Sequence, residues 1–123
     1  MGYAIVDTSS ILFGLAHRKD VFEIVERSLP GYAPLISKGI MRELGHHSLN
    51  KGTNGAAARA ALSILKLKKI RVDNTSSNVD SWILRKAASE AGTLVVTNDT
   101  ALLTKLRLVG VRTMKLSKSG KLK

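Results

Sequence analysis

The sequence predicts an α/β fold, a parallel sheet covered by helices on both faces. Three observations predict it. Short apolar runs alternate with helical stretches along the whole chain, the order that parallel strands and crossover helices produce. The runs are continuous rather than alternating, Tyr3-Ala4-Ile5-Val6 being the first, as in strands buried on both faces. Capping and turn residues fall between the runs, where helices would start and stop.

Taken in order, Tyr3 to Val6 reads as a buried strand that ends at Asp7. Thr8, Ser9 and Ser10 offer N-caps to a helix carrying Ile11, Leu12, Phe13 and Leu15. A second helix over Asp20 to Ser28 stops before Pro30-Gly31. Tyr32 to Ile36 is a second strand, and Ser37 caps the helix after it. Asn50 to Gly55 is turn chemistry, followed by an Ala- and Leu-rich helix over Ala56 to Leu67. Ile70 to Val72 is a short strand, and Asn74 to Asn78 a polar loop. A helix over Val79 to Ala91 closes at Gly92. Thr93 to Thr97 is a strand, Thr100 to Val109 a helix closed by Gly110, and Val111 to Leu116 a last strand. Ser117 to Lys123 reads as a basic tail expected to fray. The expectation is one domain over residues 1–116 and a tail over 117–123.

Composition sets the bounds. A chain of 123 residues holds one domain. With 44% apolar residues it can bury a core without staples. The absence of cysteine excludes disulfides and thiolate metal sites. No apolar run approaches the roughly 20 residues of a membrane span. Met1-Gly2-Tyr3 lacks the charged start and apolar stretch of a secretory signal. The expectation is a soluble, cytoplasmic protein with no membrane partner.

Charge points to a partner. Twenty Lys and Arg against nine Asp and Glu give +11. No acid follows Asp99, whereas Lys105, Arg107, Arg112, Lys115, Lys118, Lys121 and Lys123 do. Arg59, Lys66, Lys68, Lys69 and Arg71 form a second basic stretch. Such a field favours a polyanion, nucleic acid above all; a generic basic surface is the plainer alternative.

Against this background four acids are placed where chemistry belongs. Ligands of an open parallel sheet bind beyond the carboxyl ends of its strands, near the point where strand order reverses. Asp7 ends the first strand, and Asp99 follows the Thr93–Thr97 strand. Asp80 shares a helix face with Ile83, Leu84, Ala87 and Ala91, so it turns toward the sheet. Glu43 lies near Ile36, Ile40 and His47 and is expected to be only partly turned to solvent. Each has a plainer reading. Asp7 and Asp99 fit helix N-caps, Asp80 fits a first-turn acid on the helix dipole, and Glu43 fits a pair with Lys38 or Arg42. If all four face one cleft, each pair about 4 Å apart repels by about 4 kcal/mol at an effective dielectric near 20. Protonation or a cation must then relieve the site. Oxygen ligands without Cys or paired His select Mg²⁺ or Mn²⁺.

Ala4-Ile5-Val6-Asp7-Thr8-Ser9, Met41-Arg42-Glu43-Leu44, Val79 to Leu84 and Val96-Thr97-Asn98-Asp99 resemble, in order, the four motifs of PIN domains. The resemblance spans nearly the whole chain. Its second half is most similar to PIN domains of ribosomal RNA processing proteins and their archaeal relatives, and VapC-type toxins share the scaffold. It implies a three-layer α/β/α fold with a five-stranded parallel sheet, Mg²⁺- or Mn²⁺-dependent endoribonuclease activity, and homodimers. It also implies an antitoxin partner if the chain is a toxin. Asp7, Glu43, Asp80 and Asp99 fall on the family's acidic, metal-holding positions, and Thr97 on its usual hydroxyl position. Thr8 and Ser9 are expected to support them. Lys66, Lys68, Lys69, Arg71, Lys105, Arg107, Lys118, Lys121 and Lys123 are the expected grip on single-stranded or ribosomal RNA. The chain departs from many relatives at Ala101, where they carry a further acid, which bears on a second metal. The rival reading is a PIN-fold RNA- or ribosome-binding module that cuts weakly or not at all.

Other signals carry less. His46 and His47 point about 100° apart on a helix, so joint chelation of one ion is disfavoured; a surface or RNA-contacting role fits better, and a structural role is the plainer reading. With five aromatics, stacking-based RNA readout is poorly supported, and Trp82 reads as core.

Overall fold

A computed structural model describes residues 2–123. The strands are β1 (Gly2–Val6), β2 (Tyr32–Ser37), β3 (Arg71–Asp73), β4 (Leu94–Val96) and β5 (Arg112–Met114). The helices are α1 (Thr8–Ala16), α2 (Val21–Ser28), α3 (Lys38–Ser48), α4 (Thr53–Leu67), α5 (Val79–Ser89) and α6 (Thr100–Leu108). All pairings are parallel, in the order β3-β2-β1-β4-β5. Helices α1 to α4 pack among themselves, and α5 packs on α6, giving the α/β architecture that the sequence predicts.

The topology fixes where a site forms. The chain steps outward from β1 to β2 and β3, then crosses back to β4 and β5. Strand order therefore reverses between β1 and β4, and their carboxyl ends open a crevice there. Those ends carry Asp7 and Thr97-Asn98-Asp99.

The inner strands read as continuous apolar runs because both faces are covered. Ala4, Ile5 and Val6 of β1 and Leu94, Val95 and Val96 of β4 are fully buried. The edge strands β3 and β5 have three residues each and begin with exposed Arg71 and Arg112, which discourages edge pairing.

Three expectations are corrected. Helix α4 starts at Thr53 rather than Ala56, because Gly55 fits against the Asn50 carbonyl where a side chain would collide. Helix α5 ends at Ser89 rather than Ala91, and Gly92 supplies the left-handed turn (φ +80) into β4. The tail does not fray. Leu116 and Leu122 form an antiparallel bridge, and Lys115 and Lys123 exchange backbone hydrogen bonds at 2.8 and 3.0 Å. Leu116 is buried and Leu122 packs on the core, so two leucines order a segment whose charge suggests disorder. The hairpin seats on α1 at Gly14, where a Cβ would crowd Leu116. Among the described residues, no helix is long and apolar enough to cross a membrane.

Candidate active site

Asp7, Glu43, Asp80 and Asp99 come from four separate segments and line one cleft of about 310 Å³. Thr8, Ser9, Leu12, His46 and His47 complete its wall. Among the described residues, no Lys or Arg lines it. A larger groove of about 550 Å³ beside β3 and α5 holds one acid, Asp73, which Lys86 pairs at 3.7 Å. It has no comparable chemistry.

Asp7 is 5% exposed. Its backbone carbonyl starts α1, accepting from the amides of Ser10 and Ile11, but its side chain does not cap the helix. Oδ2 instead accepts from Ser9 Oγ at 2.7 Å and Thr97 Oγ1 at 2.9 Å. Oδ1 has no protein donor, and no buried side-chain polar atom among the described residues is left unpaired, so solvent reaches it. Burial raises the Asp7 carboxyl above its ordinary value; the Ser9 and Thr97 hydroxyls oppose this, and the charges of Asp80 and Glu43 add to it.

Thr97 is fully buried and ties two acids together. Its hydroxyl donates to Asp7 and accepts from the Asp99 amide at 3.0 Å. Asp99 is the N-cap of α6, with Oδ1 accepting from the amides of Ala101 and Leu102 at 2.9 and 3.2 Å. The capping reading thus holds for the Asp99 side chain and fails for that of Asp7. Glu43 is exposed, more so than expected. It accepts from Thr8 Oγ1 at 2.5 Å, and no ion pair with Lys38 or Arg42 forms among the described residues. Asp80, in the first turn of α5, is half-buried.

Two features go beyond the sequence reading: the place of His46 and His47 in the cleft wall, and the role of Asn98. His46 and His47 line the cleft; they follow Glu43 by three and four residues, the spacing that shares a helix face. Asn98 braces the floor. Its Oδ1 accepts from Ser10 Oγ at 2.7 Å and the Leu116 amide at 3.1 Å, and Nδ2 donates to the Leu116 carbonyl at 2.9 Å. It thereby clamps α1, the end of β4 and the C-terminal hairpin.

The predicted basic grip lies outside the cleft. Lys68 is spent on Asp20 and Glu26, at 3.4 and 3.2 Å. Lys66 and Lys69 sit at the exit of α4, and Arg71, at the start of β3, lies over the Tyr3 ring. All three are exposed and behind the strand ends that carry the acids. Lys105 and Arg107 are exposed on the last turn of α6. Lys118, Lys121 and Lys123 are exposed on the hairpin that Asn98 anchors.

The donor set suits a hard divalent ion: four carboxylates, no thiolate and no cationic Lys or Arg against them. As the side chains stand, no three His, Asp or Glu among the described residues converge closely enough to hold an ion. Glu43 is turned to Thr8, and Asp99 to its helix amides.

The profile of the PIN-like domain family matches residues 4–119. No curated protein matches significantly. Among solved structures, the PIN domain endonuclease Utp24 superposes with a TM-score of 0.78 at 25% identity, over 98% of this chain and 90% of that one. A domain of a functionally unknown protein from Methanocaldococcus jannaschii DSM 2661 superposes at 0.64 with 20% identity, over 94% and 91% of the two chains, and shares the fold. With the matched residues reaching from β1 into the C-terminal hairpin and covering all four acids of the cleft, the chain belongs to the PIN-like domain family.

Proposed function

We propose that this chain is a metal-dependent endoribonuclease that hydrolyses RNA phosphodiesters with Mg²⁺ or Mn²⁺. One observation carries the reading: four acids from separate segments line one cleft, with no Lys or Arg among the described residues that line it, at the strand-order reversal. The structural likeness to a PIN domain endonuclease supports nuclease chemistry, and the +11 charge supports a polyanionic substrate.

Asp7, Asp80 and Asp99 would hold the ion, with Glu43 joining them directly or through water. The chemistry that such an ion supplies when bound is acidification of water and neutralisation of phosphate charge. The chain's own residues do the rest. Ser9 and Thr97 hold Oδ2 of Asp7 and leave Oδ1 facing solvent. Ser9 Oγ also accepts from the Asn98 amide at 3.0 Å, so its donation to Asp7 is reinforced. Glu43, steadied by Thr8, orients the attacking water. In-line attack forms a bond from the water oxygen to phosphorus and breaks the bond to the 3′ oxygen. The products are a 5′-phosphate and a 3′-hydroxyl that takes up a proton. Hairpin Lys118, Lys121 and Lys123, with Lys105 and Arg107, would grip the backbone.

The motif resemblance supports ribosomal RNA processing or a toxin role in the cytoplasm. A small antitoxin gene beside this one would identify the toxin. The binding-module reading draws on Ala101 and on the engagement of Glu43 by Thr8 and of Asp99 by its helix amides. Cleavage of a labelled single-stranded RNA in Mn²⁺, Mg²⁺ or EDTA, by wild type and Asp7→Asn, separates the two. Metal-dependent cutting that vanishes in the variant is expected. Tight binding without cutting by either protein sinks the enzyme in favour of the module.

A further inference from the structure

Beside the acid cleft, on the other side of Glu43 and His46, lies a second, smaller cavity. This niche of about 180 Å³ lies between α3 and the segment from Ser76 to Val79. Glu43 and His46 line both spaces, so the two adjoin. The niche reverses the character of the cleft. Glu43 is its one acid, and Arg42 stands on its wall with His46. Arg42 and His46 are four residues apart on α3 and project from the same edge of the helix.

Both groups are uncommitted. Arg42 Nη1 donates to the Ser76 carbonyl at 3.5 Å, a long bond that uses one of five donors. The ion pairs among the described residues belong to Arg27, Lys68 and Lys86, which leaves Arg42 without a carboxylate. The His46 ring has no hydrogen bond among the described residues, in contrast to His17, which bonds the Phe13 carbonyl. A second guanidinium, Arg85, reaches the same segment through Ser77 Oγ at 3.3 Å.

We propose that the niche is a phosphate subsite for the nucleotide flanking the scissile bond, with Arg42 and His46 as its ligands and single-stranded RNA as the substrate. This deepens the nuclease reading and rests on it. A polyanion lying over a cleft walled by four acids needs donors at the rim. The hydroxyls of Thr8 and Ser9 are already turned inward to Glu43 and Asp7. Free donors adjoining the cleft are on the edge of α3, on Arg42 and His46. A guanidinium fits phosphate oxygens through two parallel N–H donors. The strand would thus leave the cleft across Glu43 and His46. None of the Lys and Arg residues that the sequence offered as a grip lines the cleft or the niche.

The test is binding of a fluorescein-labelled oligouridylate in EDTA, followed by anisotropy over a salt series. The proteins are wild type, Arg42→Ala, Arg42→Ala/His46→Ala, and Arg27→Ala as a control that removes equal charge from α2. The double variant is expected to bind about tenfold more weakly, and Arg42→Ala to lower the salt slope by about one unit. Arg27→Ala should change little. In Mn²⁺, Arg42→Ala should raise KM while kcat stays within about twofold, with an unchanged unfolding midpoint. If wild type binds RNA and Arg42→Ala behaves like Arg27→Ala, the niche is wrong and the nuclease reading stands. A wild type that neither binds nor cuts RNA removes both. Tighter binding of a duplex than of the single strand overturns the substrate class.

Discussion

Replacing Thr97 by Val tests how the cleft is held open. The change keeps the shape of a fully buried side chain and removes one hydroxyl. That hydroxyl donates to Asp7 Oδ2 at 2.9 Å and accepts from the Asp99 amide at 3.0 Å. A hydrogen bond to a carboxylate contributes about 1.5–3 kcal/mol, and a stranded amide costs about 1–3 kcal/mol. Ser9 still donates to the same oxygen, so the lower half of the combined range applies, about 3 kcal/mol. For a domain of this size that lowers the unfolding midpoint by roughly 10 °C. The assay is urea denaturation of wild type, Thr97→Val, Asp7→Asn and the double variant. With an uncharged Asn at position 7 the lost bond is an ordinary one of about 1 kcal/mol. The cost of Thr97→Val should therefore fall to about 2 kcal/mol, a coupling of about 1 kcal/mol. A cost under about 0.5 kcal/mol, or the same cost in both backgrounds, would refute the charge-assisted clamp.

Asp7→Asn carries a pH signature of its own. Burial raises the folded carboxyl above its unfolded value of 3.8, so the folded state binds more protons between the two values. Stability from this group is full below the unfolded value and is lost as pH rises through the folded one. The variant should therefore be more stable than wild type at neutral pH and no more stable below pH 3.8; unfolding midpoints across pH decide it, and a variant less stable at neutral pH contradicts the assignment. On the hairpin, Leu122→Ala removes a half-buried side chain and should cost about 1–2 kcal/mol in a denaturation series. Lys118→Gln/Lys121→Gln/Lys123→Gln should leave stability within about 0.5 kcal/mol while flattening the salt dependence of RNA binding. An unchanged slope takes the hairpin out of the grip.

The fold was legible because periodicity and punctuation agreed. The strand ends before Asp7 as its pattern predicts, whereas the helix starts at Thr8, so that Asp7 takes the N-cap position and Thr8, Ser9 and Ser10 lie in its first turn. Ser37 was expected to cap the next helix, and its Oγ accepts from the Ile40 amide at 3.2 Å. The tail was misread for a definite reason. Lysines at positions 115, 118, 121 and 123 dominate its local charge, whereas its order comes from Leu116 and Leu122 meeting across a turn and from Asn98, eighteen residues upstream of Leu116. Periodicity in a short segment does not report a contact of that range.

The cleft was legible in its acids and not in the basic groups beside it, and the difference is physical. A carboxylate at a strand end or on the inner face of a helix conflicts with the local rule that charge turns outward, so it stands out in one dimension. Arg42, His46 and His47 break no such rule. An exposed Arg and two histidines near a helix end agree with ordinary surface composition and with the helix dipole. Only their spacing from Glu43 marks them, at one residue before and three and four after. The same logic explains why Asp99 supported two readings at once. Its Oδ1 caps α6 while the side chain lines the cleft. A carboxylate has two oxygens, so capping one end of a helix and facing a substrate are compatible at a strand-to-helix junction. At the reversal of strand order, where β1 and β4 both hand over to helices, the two roles coincide by construction, and choosing between them from sequence was never required.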